Sequence, residues 1–298
     1  MKKNKNQIKL DNAERIYQII IWIFVGLVTL SCVLPFFYVI GMSFTSQGEL
    51  IQRNYFVIIP REPIIKAYKD IIGLKNFWNS MMISVARTVA GVIAGMLFTI
   101  PSGYILAQEK MRGRNIFMLY FIITMILNGG MIPQYLLYSK LHLLNKFWVY
   151  VAPAFSGVFN MLIIKIFVTG IPTSVIEASE IDGASELQKL FHIAIPLLVP
   201  TICALCLFIA VGQWNAWFDA MLYVRDSTLQ PAQFFIRSLM LSGGVSDVQN
   251  GNLEIQERVS SESIKMASVV IAVLPILMVY PFLQKYFIFG VYTGAVKG

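Results

Sequence analysis

An all-α membrane protein with six transmembrane helices is the fold class that this sequence predicts, and three observations carry it. The 298 residues are 57% hydrophobic and only 13% charged, with a mean hydropathy of +0.67, above what soluble globular domains reach. The apolar residues gather into runs of about 18 or more, long enough to cross a bilayer. Lipid offers backbone groups no hydrogen-bond partner, so runs of this length are read as helices rather than strands.

Residues 1–15 form a basic tail with Lys2, Lys3, Lys5, Lys9 and Arg15, expected in the cytoplasm under the positive-inside rule. The first span covers 16–40. Within it, Thr29-Leu30-Ser31-Cys32 hints at a lipoprotein cleavage site, but apolar sequence continues past Pro35 and Phe36, too far for a signal-peptide core. An uncleaved anchor is the better reading. Residues 16–77 thus pair this helix with an external connection that carries Pro60 and Pro63. The core, 78–287, holds five further spans at 81–107, 116–138, 147–168, 194–211 and 267–287. Residues 109–114 make a tight inner turn. A second external connection, 223–263, carries the flexible turn signals Gly243-Gly244 and Asn250-Gly251-Asn252. Residues 288–298 form an inner tail, so both termini are expected in the cytoplasm. Loop cations divide almost evenly between the two sides, and the orientation rests on the basic tail.

Several function classes fall away. The net charge of +8 is scattered over short loops, with no basic helix or aromatic-interleaved patch, so the expected partner is a lipid bilayer and not nucleic acid. His142 and His192 lie in loops on opposite sides of the membrane. Cys32, Cys203 and Cys206 fall inside spans as small apolar residues. No metal site and no catalytic constellation is expected, and the chain is not read as an enzyme. It has no G-x-x-x-x-G-K-[S/T] loop, so it is not expected to bind and hydrolyse ATP by a P-loop, and no cofactor is expected on this chain. No inverted pair of broken spans marks a secondary transporter.

The polar segment 172–196 stands out between long apolar runs. Ser174 with Glu177, and Ser185 with Gln188, fit capping boxes and predict two short helices. Gly183 supplies positive φ at the corner between them, and Lys189 is expected on the solvated side of the second. Pro172 and Pro196 are expected to limit the flanking spans. Ordering such a loop costs entropy that contact with another protein at the membrane face would offset. Glu177-Ala178-Ser179, then Asp182-Gly183-Ala184, with Pro196 further on, resembles the EAA loop of ABC importer permeases. Ser179 replaces a more usual alanine, small for small. The resemblance implies a type I importer permease fold in a bacterial cell membrane. It also implies a coupling role for Glu177, Ala178, Ser179, Asp182, Gly183, Ala184 and Pro196. The implied partners are a second homologous permease, two ABC ATPase subunits that carry ATP and magnesium, and an extracellular substrate-binding protein.

Candidate translocation-pathway residues lie inside or at the ends of spans. Arg87 sits roughly 13 Å along the second span from Trp78, at about 1.5 Å per residue, where it either lines a polar cavity or snorkels to the headgroups. Asn128-Gly129-Gly130 with Pro133, Gln134 and Tyr135 breaks the third span, and resembles a segment of permeases for complex carbohydrates. Gln213, Trp214, Asn215 and Asp219 gather stacking and hydrogen-bonding groups suited to a sugar at the end of the fifth span. The tail from Gly290 resembles that of sugar-importer permeases. A sugar or oligosaccharide is the expected substrate; another small solute such as an amino acid or peptide, or a secondary transporter, are the alternatives.

Overall fold

The computed structural model describes residues 12–127, 129–241 and 259–295, and every regular element among them is helical. Contacts divide the chain into two compact units, Met1–Ile71 with Ser242–Val270, and Ile72–Leu241 with Ile271–Gly298.

In the first unit, α1 (Asn12–Ser43) is a continuous apolar helix whose side chains from Ile16 to Leu34 are exposed within this chain. The connection that follows is folded into short helices. Helix α2 (Gln47–Gln52) starts at Ser46, whose hydroxyl accepts from Glu49 N–H. It ends with Tyr55 N–H on Leu50 O (2.8 Å) and Asn54 N–H on Ile51 O (3.3 Å), with Asn54 and Tyr55 both at positive φ. The buried Glu49 carboxylate accepts from Arg61 N–H and Arg53 Nη1. Burial opposes its ionisation, but those donors outweigh burial and hold its pKa below the usual carboxylate value. Ser263 donates to Thr45 O (2.8 Å), tying the start of α13 (Ser261–Ala295) to the end of α1. Helix α3 (Lys66–Ile72) closes the connection.

In the second unit, α4 (Phe77–Ala107) is the hub, packing against α7 (Val158–Thr169) and α10 (Ile195–Asn215). Glycines let it approach closely. A Cβ on Gly103 would stand 2.7 Å from Ile164 Cβ and 2.8 Å from Met161 O, and one on Gly95 2.9 Å from Ile209. Small residues are what allow membrane helices to pack backbone to backbone.

Among the described residues, four helices are long and apolar enough to cross a membrane: Glu14–Ser43, Phe77–Ala107, Glu186–Asn215 and Ser261–Val279. Two bent pairs bring the number to six. The expected third span, 116–138, is not one helix. Helix α5 (Arg114–Ile126) is about 20 Å long at 1.5 Å per residue, short of the roughly 30 Å hydrocarbon core. Gly130, at φ 83° and ψ 174°, then opens α6 (Met131–Lys140), whose axis diverges by 112°. Only glycine occupies that backbone region at ease. The fourth span begins as two 3₁₀ turns, Phe147–Tyr150 and Ala152–Ser156, separated at Val151, and bends 40° into α7. The last helix runs past both expected ends and takes in most of the expected tail.

Candidate functional site

The corner between the fourth and fifth spans is built by local rules. Helix α8 (Thr173–Ile181) ends at Asp182. Gly183, at φ +75°, then reverses the chain, with Gly183 N–H on Glu180 O (3.1 Å) and Ala184 N–H on Ser179 O (3.0 Å). That hydrogen-bond pair is the Schellman motif, which needs a left-handed residue at this position. Ser185 opens α9 (Glu186–Lys189) with a full capping box: its hydroxyl accepts from Gln188 N–H (3.3 Å), and the Gln188 side chain accepts from Ser185 N–H (2.8 Å).

Three local expectations need correction. Ser174 does not cap α8: the helix starts one residue earlier, after Pro172, so Ser174 already lies inside it. Pro196 does not stop the fifth span, because a π turn, Leu190–Ala194, connects α9 to α10 and the helix runs on from Glu186 to Asn215. Proline cannot donate and crowds the preceding turn; the wider turn just before it carries the helix across. Lys189, expected on the solvated side, has a side chain only 5% exposed.

Lys189 Nζ donates to Glu180 Oε1 (3.1 Å) and Glu186 Oε1 (2.9 Å), bridging α8 and α9. Tyr104 in α4 donates to the other Glu186 oxygen (2.9 Å), and Lys110 stands 3.7 Å from Glu180. The Lys189 hydrogen bond, then the Lys110 charge, hold the Glu180 carboxyl below its ordinary pKa of 4.5. The corner is thereby braced against the C-terminal end of α4. Glu177, Ala178, Asp182 and Gly183 face outward, Ala184 is half-buried, and Ser179 is buried, donating to Ile176 O. Pro196 is exposed. Two apolar side chains stand out of this polar corner, Ile181 at 87% and Leu187 at 68% exposed.

At the other end of α4, the structure gathers Arg87, Gln213, Asp219 and Tyr150. The guanidinium is 1% exposed. It donates to Gln213 Oε1 through Nε (3.2 Å) and Nη2 (3.1 Å), to Ala216 O (3.2 Å), and to both Asp219 oxygens, and lies 4.3 Å from the centre of the Tyr150 ring. Snorkelling is therefore ruled out: Arg87 clamps α4 to the end of α10 and the start of α11 (Phe218–Tyr223). Gly91 makes room, since a Cβ there would meet the Gln213 side chain at 2.8 Å.

The remaining pathway candidates divide. Trp214 is buried and donates to Ala272 O (3.1 Å). Asn215 is exposed, with Gln233 Nε2 donating to it (3.4 Å). Gln134 donates to Tyr138 OH (2.9 Å), and Tyr135 lies beside Tyr223 at 6.1 Å. Asn128 lies outside the described residues, as does the end of the expected tail. No group of three or more metal-ligating side chains occurs among the described residues. Sequence reasoning missed Tyr104, Glu180, Glu186, Tyr150 and Arg237. Only the three-residue spacing of Glu186 and Lys189 left a local signal.

No family profile matches the chain. It is 39% identical to protein LplC of Bacillus subtilis over 96% of each chain. It is 35% identical to the polygalacturonan/rhamnogalacturonan transport system permease protein YtcP of the same organism, over 95% of this chain and 99% of that one. Among solved structures, a chain of a bacterial ABC transporter involved in the import of the acidic polysaccharide alginate superposes with a TM-score of 0.84 at 30% identity. That match covers 93% of this chain and 99% of the other. A chain of an alginate ABC transporter in complex with a pentasaccharide-bound periplasmic protein shares the fold at a TM-score of 0.55 and 14% identity.

Proposed function

This chain belongs to the family of ABC importer permeases of the carbohydrate-uptake type, and from that premise we propose that it forms one half of an oligosaccharide pathway driven by a separate ATPase. In this reading a second, homologous permease supplies the other half, two ABC ATPase subunits bind ATP and magnesium, and an external binding protein delivers the sugar. The membrane is the bacterial cell membrane, with both termini inside.

The observation that carries the proposal is the α8–α9 corner. It is ordered by a Schellman motif and a capping box, braced from within by Lys189, and topped by exposed Ile181 and Leu187. Ordering of this kind in a connection between spans is offset by docking, and the ATPase is the partner whose movement has to be received. Closure of the ATPase pair would move the corner, and the contacts of Tyr104 and Lys110 with Glu186 and Glu180 would pass the movement to the α4 end of the bundle. Glu177, Ala178, Ser179, Asp182, Gly183, Ala184 and Pro196 are the coupling residues on this reading.

Gly183 gives the test. No atom within 4 Å would meet a Cβ there, so a side chain at this corner is tolerated for space and costs about 1 kcal/mol through its left-handed backbone. Aspartate is among the residues that tolerate this conformation best. Gly183→Asp should therefore leave the chain inserted and helical, while placing a charged side chain on the docking face. In the reconstituted complex, substrate-stimulated ATP hydrolysis should be lost and co-purification of the ATPase weakened. Wild-type stimulation in Gly183→Asp would remove the coupling assignment.

A further inference from the structure

Helix α12 (Ala232–Leu241) belongs to the connection between the fifth and last spans, and its side chains reach the end of α10. Arg237 lays its guanidinium 3.8 Å from the centre of the Trp217 ring. Gln233, one turn earlier, donates to Asn215. The two contacts lie four residues apart on α12, so one helix face holds both against the segment where α10 gives way to α11.

The chemistry of this cluster differs from that of Arg87. There, every nitrogen of the guanidinium is engaged and the residue is sealed. Arg237 is exposed, and among the described residues no carboxylate lies within ion-pair distance of it. Asp219, the acid nearest Trp217 in sequence, is held by Arg87. Stacking on Trp217 uses only the face of the guanidinium. The N–H groups lie in its plane and point outward from the ring, in the fork that a carboxylate fills with two parallel hydrogen bonds. Asn215 accepts from Gln233 through its oxygen, which leaves its own amide N–H groups to meet a sugar hydroxyl beside that carboxylate.

We infer that Trp217, Asn215, Gln233 and Arg237 form a subsite for an acidic sugar, a uronate residue of the transported oligosaccharide, with Arg237 taking the carboxylate. The inference rests on the reading of the chain as an oligosaccharide permease and names the charge of its substrate. A neutral sugar gains nothing from a guanidinium that has no carboxylate partner among the described residues, and a cationic one is repelled by it.

The test uses the complete permease–ATPase complex in lipid nanodiscs, titrated with trigalacturonate and with galactotriose, its uncharged counterpart. The intact complex should bind the acidic trisaccharide more tightly. Arg237→Gln should weaken that binding about tenfold or more, the effect of removing one charge-assisted group, and leave galactotriose binding unchanged. Arg237→Lys should fall between, keeping the charge without the fork. Equal binding of the two sugars, no binding of either, or a preference that survives in Arg237→Gln would overturn the subsite. Failure here is distinct from failure of the coupling assignment, which Gly183→Asp reports through ATP hydrolysis alone.

Discussion

Lys189 and Arg87 are both cations buried inside a membrane protein, and both are satisfied by oxygen acceptors, yet the two regions are assembled in opposite ways. Lys189 takes its partners from three and nine residues away, Glu186 and Glu180, within one corner of the chain. Arg87 reaches partners 126 to 132 residues away and joins elements that are far apart in sequence. The acids around Lys189 stay largely exposed, whereas the Arg87 cluster is closed by the Tyr150 ring and the Gln213 side chain. A charge that must be buried needs a full set of partners. Local partners make a brace that can move as a body, and distant partners make a clamp that holds helices together.

The largest effect that separates the two should come from Arg87→Met. Asp219, whose side chain is 24% exposed, and the Ala216 carbonyl would lose a donor that is itself buried, and removing one partner of a fully buried pair costs about 3–5 kcal/mol, an upper bound for this half-buried one. The expected outcome is a lower melting temperature of the purified complex and loss of the chain from it, rather than slower uptake by an intact one. Normal assembly with reduced uptake would instead place Arg87 in the substrate path and dissolve the contrast with Lys189.

Lys189→Met should act differently. Its loss leaves Glu180 and Glu186 solvated, so the helices should stay folded while the corner loses its brace. Substrate-stimulated ATP hydrolysis should fall with little change in assembly, and Lys189→Arg should restore part of it. The pH dependence follows from Glu180. A carboxyl whose pKa is depressed in the folded state contributes stability above its ordinary value, lost as pH falls through the lowered one. The brace should therefore persist at neutral pH and fail only below 4.5. An inflection in coupling near neutral pH that vanishes in Glu180→Gln would contradict this.

How much was legible in the sequence follows the same division. The Gly183 turn and the Ser185 box depend on residues within a few positions of each other, and they read correctly. The break before Gly130 was visible for the same reason. The fold of the first connection was not legible, because its Glu49 bonds join residues twelve apart with no periodic signal. Arg87 was visible as a costly charge, but its partners were not, since nothing local ties it to Asp219. The extent of the fifth helix was misread at Pro196 because a π turn leaves no pattern in composition. Trp214 and the nearby Trp217 also separate only in three dimensions. Trp214 turns into the packing against Ala272, while Trp217 carries the Arg237 stack.

The smallest effect offers the sharpest check on the local rules. Two serines in the corner sit at matching positions in apparent capping boxes, three residues ahead of Glu177 and of Gln188. Only Ser185 caps a helix; Ser174 lies exposed inside α8 and has no capping bond. Removing a capping hydroxyl costs about 1 kcal/mol, because one helix N–H group loses its acceptor. Ser185→Ala should thus lower the protection of the Gln188 amide in hydrogen exchange and slightly reduce coupling. Ser185→Asp, which keeps an acceptor at the same place, should restore both. Ser174→Ala should be silent in both measurements, as a helix-interior change to the best helix former. Equal effects from the two alanine substitutions would mean that α8 begins at Ser174 after all, and that the corner holds two capping boxes rather than one.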